Sequence, residues 1–294
     1  MNADWELIWS LFHYAILSSA LTGIVCPLIG CFLLVRRTGF YGVALPQFAA
    51  AGVALGWALP VWWMQAGWSE IDLEVVQLES PHAVKNYLLG LAALTTFGGL
   101  LALQLIDRRK ETETGRVAAA FAIASAMTVL LAGVSPHGGE MVGQLLRGEI
   151  LTADLHEFET IACVYGAVLL TTLYFLKPLL LTSFDPDAAR IGGISVRHHE
   201  SLLLLLVGTT VSVGVLIVGP IVLFGLLVIP PLAAQTIARS MRGMFVAASA
   251  LGLLAALGGV VISFELDLPL GPSVVSAAGL ELLPALAFAR WRRA

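Results

Sequence analysis

Glu281 and His13 lie in apolar segments and have side chains able to bind a cation. Glu281 sits near the middle of residues 273–290, and a carboxylate at the centre of a membrane helix costs about 2.5–3.5 kcal/mol on insertion scales. It must therefore face the protein interior or a partner, and the ligand and structural roles are equally open. His13 stands beside Tyr14, and a packed core histidine is the favoured interpretation there, with a metal ligand as the alternative.

His137 and Glu140 form a second candidate pair. A spacing of three residues puts both side chains on one face if the segment is helical. Gly138 and Gly139 lie between them, and these glycines favour a loop. A metal site at this position is therefore the less favoured interpretation.

Enzymatic motifs are absent from the sequence. It contains no G-x-x-x-x-G-K-[ST] phosphate loop, metalloprotease motif or paired nucleophile and base. We therefore expect a chain that is not an enzyme and holds no cofactor of its own. If ATP drives its activity, the ATP and magnesium must bind to another chain.

One polar segment between two apolar stretches predicts a short, rigid helix. Asp185 suits the N-cap, Pro186 suits the first helical position, and Asp187 adds negative charge to the first turn. Gly192-Gly193 can supply a left-handed stop. The prediction is a helix of about two turns at about 185–193, which is either an ordinary connector or a docking surface for a partner.

Two adjacent prolines, Pro230-Pro231, fall inside the apolar segment 219–235. They remove two backbone donors and are expected to break and bend this span. Such a break is tolerated where the freed carbonyls face protein or a water-filled path, so a structural kink and a pathway role are both open.

Gly52-x₃-Gly56 permits close helix packing, at a pore or dimer interface or elsewhere.

The composition identifies the environment in which these residues lie. Hydrophobic residues make up 58% of the 294 residues and charged residues 12%, with a mean hydropathy of +0.89. Soluble domains carry about 25% charged residues, so these charges cannot cover a water-exposed surface of this size. The net charge of −4 also excludes the basic surface of a nucleic-acid partner. The chain is predicted to be a polytopic membrane protein.

A bilayer core needs about 20 apolar residues per helix, and the sequence accordingly predicts an all-α transmembrane bundle of about nine spans in a single domain, 1–294. The predicted spans are 8–35, 41–63, 87–106, 117–135, 159–181, 201–219, 221–238, 244–264 and 273–290.

The longest polar loop, 64–86, contains four acidic residues and His82. It is either a solvated loop or a surface that attracts cations or a binding protein. Short helical or re-entrant structure is predicted for 136–157.

The basic residues are sorted to one side of this topology. All of the 16 Lys and Arg residues except Lys85 and Arg147 fall on the side of the odd-numbered loops and the C-terminal tail. Because basic residues favour the cytoplasmic side, we expect the N-terminus outside and the C-terminus inside.

Several motifs occur in an order that resembles the permeases of zinc- and manganese-type ABC importers. They are Arg36-Arg37-x₄-Gly42, Gly148-Glu149-Ile150-Leu151, Asp185–Ile194, Gly219–Ala234 and Asp267–Pro272. The resemblance covers roughly residues 27–290. It implies a multi-pass protein of the bacterial inner (plasma) membrane that pairs with a second permease and receives metal from an extracytoplasmic solute-binding protein. It also implies cytoplasmic ATPase subunits that dock on the helix at 185–193, where Asp185, Asp187, Arg190, Gly192 and Gly193 are the coupling residues.

The sequence departs from that family at one place. Family members typically carry an Asp and a His four residues apart in span two, just after the glycine that matches Gly42. Val43 and Gln47 occupy these positions here; valine cannot ligate, and glutamine offers a neutral amide oxygen. Either the partner permease carries the intact pair, or the ligands lie elsewhere in the path, or the cargo is not a transition metal.

The leading hypothesis is the permease subunit of an ATP-driven importer that moves a divalent metal by alternating access, with Val43, Gln47 and Pro230-Pro231 on the path. One alternative is the same architecture importing a non-metal solute or a metal chelate. The other is a stand-alone secondary transporter or channel, which would work without an ATPase.

Overall fold

The computed structural model describes residues 5–36, 38, 40–65, 81–105, 113–134, 143 and 155–291. None of these residues lies in a strand, and the predicted all-α class is confirmed. The helices are α1 Trp5–Val35, α2 Tyr41–Gln65, α3 Pro81–Leu105, α4 Glu113–Ala132, α5 Leu155–Tyr174, α6 Leu176–Phe184, α7 Pro186–Ile191, α8 Val196–Val218, α9 Pro220–Ile237, α10 Met241–Leu266 and α11 Leu270–Trp291.

The helices match the predicted number of spans. Within the described part of the chain, 8 helices are individually long and apolar enough to cross a membrane, and the bent pair α5–α6 raises the count to as many as 9. Predicted and observed ends differ by a few residues; α4, for example, begins at Glu113 rather than at 117. The apolar pattern therefore identifies the spans but does not define their ends.

The predicted span at 159–181 corresponds to two helices joined at a bend rather than to one straight helix. The chain turns by 71° between α5 and α6, and Phe175 at the junction leaves the helical conformation. Pro178 explains the position of the break, because it has no N–H for the carbonyl of Tyr174 and its ring crowds that oxygen.

The predicted loop 64–86 is too long. Helix α2 continues to Gln65, and α3 already begins at Pro81, where the fixed φ of proline suits the first helical position. The residues between these two helices lie outside the described part of the chain. His82 and Lys85, which fall in the predicted loop, are therefore on a helix.

The predicted break at Pro230-Pro231 is also absent. Helix α9 runs as one element from Pro220 to Ile237 through both prolines. Both prolines are buried, so neighbouring helices can hold the backbone in place despite the two missing donors.

Helix α1 forms the centre of the bundle. In its most apolar stretch 72% of the residues are buried, against 28% in α4, which lies at the periphery. It runs antiparallel to α10: Phe12 contacts Phe264 near one end, with ring centroids 5.3 Å apart, and Phe32 contacts Phe245 near the other, at 4.8 Å.

Between these aromatic contacts, a glycine of α10 meets a carbonyl that a proline has freed. Pro27 leaves the Gly23 carbonyl without its helical donor. A Cβ on Gly252 would lie 2.1 Å from that oxygen and 2.3 Å from the Pro27 ring. The glycine Cα hydrogen takes the direction of the missing Cβ, so it points at the oxygen in a weak Cα–H···O contact.

The same arrangement joins α1 to α9. Pro231 frees the Leu227 carbonyl, and a Cβ on Gly30 would lie 2.0 Å from that oxygen and 2.9 Å from the Pro231 ring. Glycine is therefore required at residue 252 of α10 and at residue 30 of α1, because the backbone of the facing helix leaves no space for a side chain at either position.

The paired glycines of α2 pack within the same chain. A Cβ on Gly52 would lie 2.6 Å from the Leu91 carbonyl oxygen, and one on Gly56 would lie 2.5 Å from the Leu88 side chain, both on α3. The Gly56 carbonyl, freed by Pro60, accepts a hydrogen bond from the Tyr87 hydroxyl at 3.3 Å. The predicted close packing is confirmed, and its partner is α3.

We expect Gly252→Ala to destabilise the protein by about 1–3 kcal/mol, because the added methyl meets backbone rather than a movable side chain. Gly258→Ala on the same helix is the matched control, since its Cβ would lie 3.7 Å from Ala277. The measurement is the thermal unfolding midpoint of the two purified variants. Equal midpoints would contradict the requirement for glycine at residue 252.

Candidate coupling surface and transport path

The short helix α7 begins with the predicted cap. Asp185 Oδ1 accepts a hydrogen bond from the Ala188 backbone N–H at 3.0 Å, and Pro186 occupies the first turn. The helix spans Pro186–Ile191, within the predicted interval 185–193. Asp185 therefore fixes where the chain turns from α6 into α7.

Gly193, rather than both glycines, provides the left-handed stop. Its φ is +75°, whereas the φ of Gly192 is −74°. The N–H of Gly192 donates to the Ala188 carbonyl and the N–H of Ile194 to the Ala189 carbonyl, both at 2.9 Å. The carbonyls at the end of the helix are thereby satisfied, which makes α7 a well-defined unit despite its length.

One side of α7 is held by the bundle and the other is open. Ala189 is fully buried, whereas the side chains of Asp187 and Arg190 are 84% and 66% exposed and form an ion pair at 2.9 Å. Ile191 is 89% exposed. These exposed residues lie on a helix outside the apolar spans, where a partner could reach them. We call Asp187, Arg190 and Ile191 the α7 surface.

The α7 surface is connected to the centre of the bundle. Helix α8 starts shortly after α7, at Val196, and Glu200 on α8 forms an ion pair with Arg36 just beyond the end of α1. A displacement of α7 by a partner would therefore act on α8 directly and on α1 through this ion pair.

The predicted path residues lie on two helices that touch. Val43 and Gln47 are half-buried, one turn apart on α2. Gly42 precedes them, and a Cβ there would lie 3.2 Å from Val228, two residues before Pro230 on α9. The structure thus brings the start of α2 against the proline-containing stretch of α9.

Glu281 and His13 have different surroundings. Glu281 is half-buried on α11, and its Oε2 is buried without a hydrogen-bond partner among the described residues. It lies one turn from Ala285, whose carbonyl accepts a hydrogen bond from Thr236 on α9 at 3.3 Å. His13 belongs to an aromatic group on α1, with its ring centroid 3.9 Å from that of Tyr14.

Metal ligands are sparse in the described ranges. His137 and Glu140 lie outside them, as do Gly148–Leu151. Within them, no three His, Cys, Asp or Glu residues are grouped closely enough to hold a metal ion together. A histidine pair from two different helices is present: the rings of His82 and His156 are 4.5 Å apart. Sequence reasoning missed this pair, because nothing in the sequence indicates that the two helix starts lie side by side.

Comparison with known proteins gives a consistent result. The family described as the ABC 3 transport family matches residues 9–289. The chain is 28% identical over 280 residues to the manganese import system permease protein ScaB of Streptococcus parasanguinis, covering 92% of this chain and 89% of that protein. It is 26% identical over 269 residues to the high-affinity zinc uptake system membrane protein ZnuB of Haemophilus influenzae, covering 87% and 90%.

The fold is also similar to that of a solved structure. A chain of PsaBC from Streptococcus pneumoniae in complex with Fab superposes with a TM-score of 0.76 at 23% sequence identity, covering 96% of this chain and 94% of that one. This similarity extends over almost the whole chain, so the bundle is one architecture rather than a set of separate matches.

We expect Gly193→Ala to loosen the end of α7, because a left-handed φ costs a residue with a Cβ about 1–2 kcal/mol. A Cβ at Gly193 has nothing within 4 Å, so the effect comes from backbone strain alone. Amide hydrogen exchange at the end of α7 should accelerate roughly fivefold or more. Gly192→Ala, at ordinary φ, is the matched control and should leave exchange unchanged. The same rate in both variants would contradict the assignment of the stop to Gly193.

Proposed function

Because the chain belongs to the ABC 3 transport family, it is a membrane permease, and we propose that its cargo is a divalent metal ion of the manganese or zinc type. The family match over residues 9–289 carries this conclusion. The choice of manganese or zinc as the cargo rests on the names of two relatives, a manganese import permease and a zinc uptake membrane protein. Family membership also favours an ABC importer over a stand-alone secondary transporter.

The chain works with separate ATPase subunits, which hold the ATP and magnesium. The α7 surface is the docking site, because it combines an exposed charged pair with an exposed isoleucine on a capped helix. Closure of the ATPases moves α7, and α8 and the Arg36–Glu200 ion pair carry that movement to α1. The path then opens alternately to the two sides of the membrane.

The N-terminus lies outside and the C-terminus inside, in the bacterial inner membrane. The concentration of basic residues on the side of the odd-numbered loops supports this orientation. Helix α5 starts next to His82 and leads through α6 to α7. The α7 surface is therefore cytoplasmic, and the His82–His156 pair is at the outer mouth.

The complete importer contains a second permease and an extracytoplasmic solute-binding protein. Val43 and Gln47 provide no strong metal ligand on α2. A partner permease with stronger ligands, or ligands elsewhere in the path, such as Glu281, would complete the site. The buried, unpartnered Oε2 of Glu281 supports its candidacy.

The cargo is tested by uptake into proteoliposomes that contain the complete complex. We expect ATP-dependent accumulation of radiolabelled Mn²⁺ or Zn²⁺, with each ion reducing uptake of the other, because one ligand set accepts both to different extents. A complex with a catalytically inactive ATPase is the control. ATP-dependent transport of another solute without uptake of either ion would favour the non-metal or chelate alternative.

The docking role is tested by charge reversal on the α7 surface. Asp187→Arg and Arg190→Glu should each lower the uptake per ATP hydrolysed at least about fivefold, as expected for loss of a contact worth more than 1 kcal/mol. Folding should be nearly unaffected, because exposed ion pairs contribute little stability. Ile191→Glu should act in the same direction, with Leu268→Glu, an exposed leucine beyond the end of α10, as its control.

A double swap, Asp187→Arg with Arg190→Asp, distinguishes loss of the contact with the partner from loss of the ion pair within α7. It keeps the ion pair within α7 but reverses the charges that a partner meets. If the partner recognises those charges, the double variant keeps the low uptake per ATP hydrolysed that the single variants show. Normal uptake in both single reversals would contradict the docking role.

A further inference from the structure

Two histidines from distant parts of the sequence meet at one end of the bundle. His82 lies in the first turn of α3 and His156 in the first turn of α5. Their ring centroids are 4.5 Å apart with the planes inclined at 68°, and both residues are exposed. The pair is at the opposite end of the α5–α6 segment from α7.

The surrounding contacts hold the two helix starts in register. Lys85, one turn after His82, forms an ion pair with Glu157, the neighbour of His156. Both of these side chains are half-buried. Glu157 offsets the positive charge of Lys85, so the ammonium group does not stand unopposed beside the two imidazole rings. Val84 and Ile161 on the same two helices are buried and anchor the backbones.

The geometry points to a divalent-metal site at the outer mouth, in which one imidazole from His82 and one from His156 bind the same zinc-like ion. Imidazole nitrogen is a preferred ligand of Zn²⁺ and suits it better than a hard cation such as Mg²⁺. Zinc–nitrogen bonds of about 2.0–2.1 Å place two ligand nitrogens about 3.4 Å apart in a tetrahedral site. With the ring centroids 4.5 Å apart, a shared ion requires the two side chains to rotate until one nitrogen of each ring reaches that separation.

Two protein ligands make a weak site, and that suits its position. The exposed rings leave the remaining coordination positions to water or to a ligand from another molecule. An ion held in this way exchanges readily, as a transfer point between the outside and the path requires. The transfer role rests on the proposed function; the binding itself does not.

The edge-to-face contact alone is a competing explanation for the pair. Such a contact between rings contributes about 0.5–1.5 kcal/mol, and it would need no ion. The two explanations differ in what happens when Zn²⁺ is added, since only a shared site makes the two histidines depend on one another for binding.

The test is calorimetric titration of Zn²⁺ into the purified full-length permease in lipid nanodiscs. We compare the wild type with His82→Ala, His156→Ala and the double variant. Each single variant should lose at least about tenfold in affinity, and the double variant should lose no more than either single variant, because one shared ion is already released. Additive losses would indicate two independent adventitious ions and overturn the proposal.

His198→Ala is the matched control. His198 is also exposed in the first turn of a helix, α8, and its ring lies 5.6 Å from that of His199. Its removal should leave the site at the outer mouth unchanged. An equal loss in this variant, or no saturable Zn²⁺ binding in the wild type, would overturn the proposal.

Two further measurements keep the outcomes distinct. His82→Asn retains a polar side chain of similar size and replaces the alanine variant if that variant fails to fold, as judged by its unfolding midpoint. Uptake by the complete complex is measured separately. Failure of the histidine site with intact metal uptake leaves the proposed function standing, whereas intact Zn²⁺ binding without metal uptake contradicts the proposed function and not the site.

Discussion

The bundle depends on satisfying backbone carbonyls in an environment without water. In hydrocarbon, an unsatisfied polar group costs several kcal/mol, and prolines inside helices create such groups. The contacts around α1 resolve two of them: Gly252 meets the Gly23 carbonyl freed by Pro27, and Gly30 meets the Leu227 carbonyl freed by Pro231. Each of these two prolines thus has a glycine on the facing helix, and this pairing brings α9 and α10 onto α1.

This packing explains how a local movement at the surface can reach the path. Because backbone meets backbone at these contacts, α1, α9 and α10 cannot slide past one another by moving side chains alone. Helix α7, by contrast, is anchored mainly through Ala189 and is otherwise exposed. A partner that displaces α7 would therefore move packed helices as units, through α8 and the Arg36–Glu200 ion pair. Rigid units that change position together are what alternating access requires.

The two ends of the bundle use charge in the same way. At one end Arg36 pairs with Glu200, and at the other Lys85 pairs with Glu157. Each ion pair joins two helices where they approach water, so neither charge has to enter the apolar core. The two histidines stand beside the second pair, and the α7 surface precedes the helix that carries Glu200. The ends thus combine fixed helix positions with side chains that remain accessible.

The sequence by itself determined the class, the approximate spans and the capped helix α7, because apolar content, span length and capping depend on residues close together in the chain. Only the tertiary structure decided the rest. The continuity of α9 through Pro230-Pro231 and the meeting of His82 with His156 depend on neighbours that are distant in sequence. A proline bends a helix or is accommodated according to what faces its freed carbonyl, and one sequence does not reveal which helix that will be.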